Sequence, residues 1–574
     1  MAFRPALLVT VVGVAAIGYF LLLPLLMLVI GAVRTSPYGT AGSWTWAGFT
    51  TVLHDPWTIP TLASTLVYAV GSTACCMLLG LWFATVSTRM VTRLGRLIMP
   101  AMVALVATPR LFYALSWGML GNPNSGLVAR LLRDLDLSVP GWLNVYSWAG
   151  LLMVTALKLT GFAYLLLYGP VSRVDRSLED AAVMAGVPRW RAFLDITATV
   201  LAPALIAAGM LIFIDVVQVF DIPAVIGMPA GIHTLPIRVN DYLLESGQAN
   251  WAAASALSLV VVVAIGLLLL LQRSIMRGND YVVLAGKAPP SQRASVGRWA
   301  RLVDLFTLIF VLVAIVLPTA QIVMGSFQPF FGLYGVWTLA NYQAALDDPD
   351  VLRTLIVTFA IAVGGGFVAV STAFAMVYVM QRRPGTPLAV LSRIGSWVPA
   401  ASPGIVLSLT LLWSYLNTPG VRALFGTPWL MLFALIVGSM PVAVRAVEGI
   451  VAQVGRDVEE VARVCGAGQV AAVLDITARL CRPSLLASWF LVGLGISGTL
   501  DIPLLLQSAN SQTVATLTYA QYTYGYVQRA AATFCLYLAA AAAVLGLAVL
   551  VLQTLRAALA AATGRQLLGS HVWR

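Results

Sequence analysis

Two charged loops with closely related sequences lie 280 residues apart in a chain that is otherwise strongly apolar. Each has two adjacent carboxylates, then a small residue, a glycine, an Asp-Ile-Thr-Ala segment and a proline. The paired positions are Glu179 and Glu459, Asp180 and Glu460, Ala182 and Ala462, Gly186 and Gly466, Asp195 and Asp475, and Pro203 and Pro483. Polar residues that repeat at a constant spacing in an otherwise apolar chain are not expected by chance. We interpret the loops as paired docking sites for a soluble partner.

The residue types of these loops are typical of a short helix to which a partner protein binds. Glu179 and Asp180 suit the first turn of a short helix, where carboxylates interact favourably with the helix dipole. Ala182 is small enough for close packing, and Gly186 lets the backbone turn where a side chain would clash. A solvated loop without a function explains either copy alone, but it does not explain the duplication.

The chain shows no pattern typical of catalysis, cofactor binding or metal binding. Its two lysines, Lys158 and Lys287, do not follow the glycine-rich turn of a phosphate-binding loop. The three histidines are scattered and the five cysteines lack metal-ligand spacing. We therefore expect no catalytic residue, no metal site and no cofactor in this chain, with the energy supplied by another polypeptide or an ion gradient.

A few charged residues fall inside apolar runs, where a functional role is the default hypothesis. Arg110, Lys158 and Asp215 are the candidates for a translocation path, and the two cations could attract an anionic solute or chelate. The alternatives are an internal Lys158–Asp215 pair, a misplaced span boundary, or side chains that snorkel to the interface. Asp221 and Asp501 match between the halves, and we expect them to brace equivalent helices.

Composition places these residues in a membrane. The chain has 574 residues, of which 60% are hydrophobic and 10% charged, whereas roughly a quarter is charged in a soluble protein. Apolar runs such as 7–30 and 252–271 are long enough to cross a bilayer as helices. The formal charge of +12 comes almost entirely from arginines in alternate loops, which is typical of membrane orientation rather than nucleic-acid binding. The sequence predicts an all-α polytopic membrane protein.

Twelve transmembrane helices are expected. The predicted spans are 7–30, 62–85, 97–119, 147–169, 200–226, 251–272, 303–325, 353–380, 394–416, 428–448, 484–507 and 529–553. Basic connections, including those that carry Arg89 and Arg382, mark the cytoplasmic side. This places both charged loops and both termini in the cytoplasm.

The spans divide into two repeats of six helices. The predicted units are a first half at 1–272 with its charged loop at 170–199, a cytoplasmic linker at 273–300, and a second half at 301–574 with its charged loop at 449–483. A second repeat supports the division, because Asp55-Pro56 matches Asp348-Pro349 at an offset of 293. An even number of spans in each half predicts parallel repeats with pseudo-two-fold symmetry about the membrane normal.

The loops resemble a known family. Its motif is Glu-Ala-Ala, three residues, Gly, and an Ile ten residues after the Gly, which marks membrane permeases of ATP-driven, binding-protein-dependent (ABC) importers. Asp180-Ala181-Ala182 with Gly186 and Ile196 follow it, and so do Glu460-Val461-Ala462 with Gly466 and Ile476. The chain departs from the motif at Asp180 and Val461. Further segments resemble fused ferric-iron permeases, namely 121–134, 220–227 and 229–232.

The resemblance implies a bacterial inner-membrane importer permease, with the loops acting as coupling helices for an ATPase. The implied partners are two copies of an ABC ATPase subunit that holds the ATP, a periplasmic or lipid-anchored solute-binding protein, and membrane lipid, but no nucleic acid. Ferric iron is the first cargo implied, and thiamine, phosphonate and other small solutes are alternatives. A gradient-driven secondary transporter is the rival function, and a membrane receptor or scaffold is a third.

Overall fold

The computed structural model describes residues 13–15, 17–35, 42–138, 140–175, 177–244, 249–277, 294–295, 297–418, 420–508 and 510–562. Most of the predicted linker (278–293 and 296) and both predicted cytoplasmic termini (1–12 and 563–574) lie outside these ranges. The linker and the cytoplasmic position of the termini therefore stay predictions.

Long apolar helices dominate the described residues. Ten are long and apolar enough to cross a membrane, and the number rises to twelve if each of two bent helix pairs is one span. The ten are Gly13–Ala32, Thr58–Arg89, Trp148–Arg173, Trp190–Gln218, Trp251–Gln272, Ala300–Ser326, Pro349–Arg382, Pro428–Ala452, Val470–Gly498 and Val527–Val544. The prediction of an all-α polytopic membrane protein is confirmed.

Each of the predicted spans 97–119 and 394–416 is broken into two helices in the structure. Helices Gly95–Ala107 and Arg110–Leu120 meet at 100°, and Pro387–Ala401 and Gly404–Leu416 meet at 119°. The breaks fall at Thr108-Pro109 and Ser402-Pro403. A proline disfavours helical geometry at the residue before it, and both preceding residues are extended, with ψ values of 126° and 119°.

Shorter elements connect the long helices. One of them is the helix Leu127–Asp134. The other short helices that bear on the site are Ala47–His54, Ser177–Met184, Leu235–Leu244, Ala340–Asp347, Arg456–Val464, Asp501–Leu506 and Val514–Thr523. Two-residue strands, Met90–Val91 and Ala294–Ser295, pair in parallel.

Two apolar cores draw helices from both halves of the sequence. The first surrounds Thr58–Arg89 and Trp148–Arg173, and it includes Phe310 and Phe534 from the second half. The second surrounds Pro349–Arg382 and Pro428–Ala452, and it includes residues of Gly13–Ala32 and Trp251–Gln272 from the first half. The first and last long helices of each half thus pack with the core of the other half.

Small residues let the central helices approach closely, as membrane helices require in the absence of a strong hydrophobic driving force between them. A Cβ added at Gly80 would lie 2.5 Å from the Cβ of Ala163, on the neighbouring helix. In the second half, a Cβ at Gly366 would lie 3.0 Å from the backbone of Gly493. These contacts hold the scaffold from which the charged loops extend.

Candidate functional site

The first charged loop is a helix that ends in a sharp turn. Helix Ser177–Met184 carries Glu179 and Asp180 in its first turn, as the sequence predicts. The turn is a Schellman motif: the N–H of Gly186 donates to the carbonyl of Val183, and that of Val187 to the carbonyl of Ala182, both at 3.0 Å. Gly186 has φ of +90°, a conformation that favours glycine.

The second charged loop repeats this backbone 280 residues later. Helix Arg456–Val464 carries Glu459 in its first turn. Gly466 has φ of +94°, and the same two hydrogen bonds form at 3.0 Å. In both loops a short helix and a π-helical turn then lead into the next long helix. The loops are alike in geometry as well as in sequence.

A buried ion pair attaches each charged loop to the end of a long helix. Glu179 accepts a hydrogen bond from Arg89, the last residue of helix Thr58–Arg89, at 2.5 Å. The hydroxyl of Thr197 donates to the same carboxylate, and Arg89 also reaches the carbonyl of Val174 at 3.4 Å. The Arg89 side chain is only 2% exposed. We call this group the first latch.

The second charged loop has a matching latch. Glu459 pairs with Arg382, the last residue of helix Pro349–Arg382, at 3.0 Å. Thr477 donates to Glu459 at 2.6 Å and Arg382 to the carbonyl of Val454 at 2.8 Å. An additional donor, the hydroxyl of Tyr378, lies 2.8 Å from the carboxylate. Each latch ties its loop to the end of its long helix.

The second latch holds its carboxylate in the charged form. Burial raises the pKa of the Glu459 carboxyl, but the hydrogen bonds from Thr477 and Tyr378 and the charge of Arg382 outweigh burial. The pKa of Glu459 therefore lies below its ordinary value. The attraction between Glu459 and Arg382 is at full strength at neutral pH and is lost only as the pH falls through that lowered pKa.

The outward side of each charged loop presents apolar side chains at matching positions. Met184 and Val464 are 89% and 88% exposed. Trp190 with Val470, and Leu194 with Leu474, are also exposed in both copies. The carboxylates Asp180 and Glu460 are also exposed, while Ala182 and Ala462 are half-buried. Met184 and Val464 lie outside the long apolar helices, and the other four side chains lie in the first two turns of Trp190–Gln218 and Val470–Gly498. Large apolar groups exposed near this end of the helices are typical of an interaction surface.

The candidate translocation residues do not form one cluster of free charges. Arg110 and Asp215 pair at 2.7 Å, and both side chains are partly exposed. Lys158 is buried and donates to the carbonyl of Leu105, in the last turn of helix Gly95–Ala107. A cation there suits the negative end of the helix dipole. The alternative Lys158–Asp215 pair is not formed, and the prediction of a path through these residues stays untested.

Asp501 lies against the break in the second bent helix pair. A Cβ added at Gly404, the first residue after that break, would lie 1.7 Å from the Asp501 carboxylate. In the first bent pair, the helix that follows the break is Arg110–Leu120. The residue of the first half that matches Asp501 is Asp221. It is buried, and its Oδ1 has no hydrogen-bond partner among the described residues.

We expect Gly404→Ala to lower the thermal unfolding midpoint of the detergent-purified protein. The added methyl group overlaps the Asp501 carboxylate, and overpacking of this kind costs about 1–3 kcal/mol. The double variant Gly404→Ala, Asp501→Gly should recover most of the loss, because it removes the overlapping group. Gly449→Ala is the control, since its Cβ meets nothing within 4 Å. An unchanged midpoint in Gly404→Ala would contradict this packing.

Sequence reasoning missed Arg89 and Arg382. Both arginines stand in basic connections, where they also serve as orientation signals, so their pairing with the charged loops was not apparent. A signal was nevertheless present, because they are 293 residues apart, the offset of the Asp55 and Asp348 repeat. Within the described residues no group of three or more His, Cys, Asp and Glu side chains is arranged to hold a metal ion.

Comparison with known proteins finds a family match within the first half of the sequence. Residues 76–278, which include the first charged loop, match the family "Binding-protein-dependent transport system inner membrane component". The predicted resemblance to importer permeases is confirmed. Together with the long apolar helices, this match makes the protein a multi-pass inner-membrane protein.

Relatives with named transport functions extend the similarity. The ferric transport system permease FbpB of Actinobacillus pleuropneumoniae is 22% identical over 71% of this chain, which spans 59% of that relative's length. The Fe(3+)-transport system permease FbpB 2 of Haemophilus influenzae is 22% identical over 66% of this chain and 74% of its own length. The trehalose/maltose permease MalF of Thermococcus litoralis is 27% identical over 44% of this chain and 91% of its own length. The ferric type of the resemblance is thus confirmed as a similarity.

Proposed function

We propose that this chain is the fused permease of an ATP-driven importer, and that its charged loops couple it to two cytoplasmic ATPase subunits. The observation that carries the proposal is the repeated latch, because each loop is tied by a buried ion pair to the end of a long helix. A partner that moves the loops must therefore move Thr58–Arg89 and Pro349–Arg382 as well. ATP hydrolysis takes place on the partner.

The repeated geometry also supports two parallel halves of six spans each. The two latches, the two glycine turns and the two broken helix pairs occur at matching places in the sequence. Both loops then lie on one side of the membrane, which is the cytoplasmic side by the arginine distribution. Two equivalent loops on one side fit two copies of one ATPase subunit, and a solute-binding protein delivers cargo at the opposite face.

The cargo is inferred from the relatives alone. Two are named as ferric-iron permeases, which makes an iron complex the first cargo to test. The Arg110–Asp215 pair, being partly exposed between membrane helices, is the part of the candidate path that is placed to contact a passing solute. The Lys158 ammonium group donates to a backbone carbonyl at the end of the first helix of the broken pair, so its role is to stabilise that helix end.

Uptake into proteoliposomes distinguishes this function from a gradient-driven transporter. The chain is reconstituted with its ATPase and its solute-binding protein, and accumulation of labelled solute is followed with ATP or with a proton gradient. The importer requires ATP and the ATPase, and a protonophore leaves its uptake intact. Uptake that persists without the ATPase and collapses with the protonophore would establish the rival.

The exposed apolar side chains of the loops should form the docking surface. We expect Leu194→Asp together with Leu474→Asp to weaken ATPase binding by about tenfold or more, since each leucine buried in an interface contributes about 1.5–3 kcal/mol. Both side chains are more than half exposed, so the fold should tolerate the change. The measurement is the amount of ATPase that co-purifies with the tagged chain.

The matched control changes exposed leucines elsewhere. Leu131 and Leu135 are 54% and 69% exposed in or beside the short helix Leu127–Asp134. Aspartate at these two positions should leave ATPase binding unchanged. Equal binding by the loop variant and the wild-type chain would contradict the assignment of the docking surface.

A further inference from the structure

A cavity of about 370 Å³ lies between the two sequence halves. Helix Arg110–Leu120 reaches it with its last turn, so the cavity lies roughly 12 Å along this helix from Arg110. Four aromatic rings contribute to its lining: Tyr146 from the first half, and Phe331, Tyr519 and Tyr522 from the second. The volume is within the usual range for a small-molecule site.

The lining of the cavity carries no charged side chain among the described residues. An anion would enter without a cationic partner in the lining. The cavity therefore disfavours anions, and the aromatic rings of its lining are the groups that attract a cation.

Several polar groups of the lining are already engaged with the protein. The hydroxyls of Tyr146 and Tyr522 lie 3.1 Å apart, and Tyr146 donates to the carbonyl of Gly118 at 3.2 Å. Thr523 donates to the carbonyl of Tyr519 at 2.8 Å, and the side-chain oxygen of Asn122 accepts from two backbone N–H groups. These oxygens are less available to a polyhydroxy solute, whereas the aromatic rings remain.

We propose that this cavity binds a small organic cation, an amine or a quaternary ammonium compound, by cation–π contacts with its aromatic rings. Ring faces attract cations through their quadrupole, with about 2 kcal/mol or more where the cation is desolvated. Met119 and Met228 complete an apolar, polarisable wall. A role for this site in import rests on the proposed function. An organic cation is an alternative to iron as the cargo, and it is compatible with ATP-driven import.

Choline and its uncharged isostere 3,3-dimethylbutan-1-ol test the role of the charge. Both are titrated calorimetrically into the full-length chain in dodecyl maltoside, a detergent without a quaternary ammonium group. We expect choline to bind about tenfold more tightly than the alcohol. Equal affinities would show an apolar pocket without cation recognition, and no choline binding would show no site, so either result would overturn the proposal.

Variants of one ring test the location. Tyr522→Phe keeps the ring and should keep choline binding, whereas Tyr522→Leu should reduce it towards that of the alcohol. Tyr526→Leu is the control, because this neighbouring tyrosine is 50% exposed and is not part of the lining. Undiminished binding by Tyr522→Leu would place the cation elsewhere and overturn the assignment. The titration needs no ATPase, so its failure is distinguishable from failure of the importer function.

Discussion

Replacing Gly186 and Gly466 with aspartate is expected to abolish ATP-driven uptake while the chain remains inserted in the membrane. Gly186 and Gly466 have φ of +90° and +94°. A residue with a side chain in this conformation costs about 1–3 kcal/mol of backbone strain. A Cβ at either position would meet nothing within 4 Å. The effect is therefore a redirected turn and a displaced docking surface, and the membrane helices are unaffected.

Uptake into proteoliposomes and the amount of inserted protein are the two measurements for this variant. Gly468→Asp is the matched control, because it adds the same charge two residues from Gly466 at a position without positive φ and with open space around it. The control should transport normally. Normal uptake by Gly186→Asp and by Gly466→Asp would contradict the assignment of these turns to coupling.

The second large effect is expected for Arg382→Ala. The change leaves the buried carboxylate of Glu459 without its cation, and breaking a buried pair from one side costs about 3–5 kcal/mol. It also removes the contact with the carbonyl of Val454. The second charged loop should then detach from helix Pro349–Arg382, so that ATP hydrolysis continues while uptake falls by about tenfold or more.

Parallel assays of ATP hydrolysis and uptake check this uncoupling, and Arg89→Ala should reproduce it in the first half. Arg463→Ala is the control, since Arg463 pairs with Glu460 at 3.9 Å and both side chains are more than half exposed. Exposed pairs contribute about 0–1 kcal/mol. If hydrolysis and uptake stay in the wild-type proportion in Arg382→Ala, the latch does not transmit motion.

The sequence was sufficient for the features that depend on local composition. Apolar runs predicted the membrane helices, and the glycines at 186 and 466 predicted sharp turns, which the structure has. The offset of 280 predicted that the two loops would be alike. Each of these helices, turns and loops is determined by residues that are close together in the chain.

Contacts between helices that are distant in the sequence could not be predicted from local composition. The leucines and valines of one span are as apolar as those of another, so they do not specify that the first helix of each half packs with the core of the other. The function of Arg89 was hidden because arginine also marks the cytoplasmic side. Pro109 and Pro403 could have predicted the broken spans, had the residue before each proline been considered.

The most direct test of the central claim, that the paired loops hold two ATPase subunits, is the composition of the complex that co-purifies with the tagged chain in mild detergent. Quantitative mass spectrometry should find one ATP-binding subunit at two copies per chain, and the Gly186→Asp, Gly466→Asp variant should lose it. A chain that purifies without an ATPase and carries solute down a proton gradient in vesicles would contradict the claim.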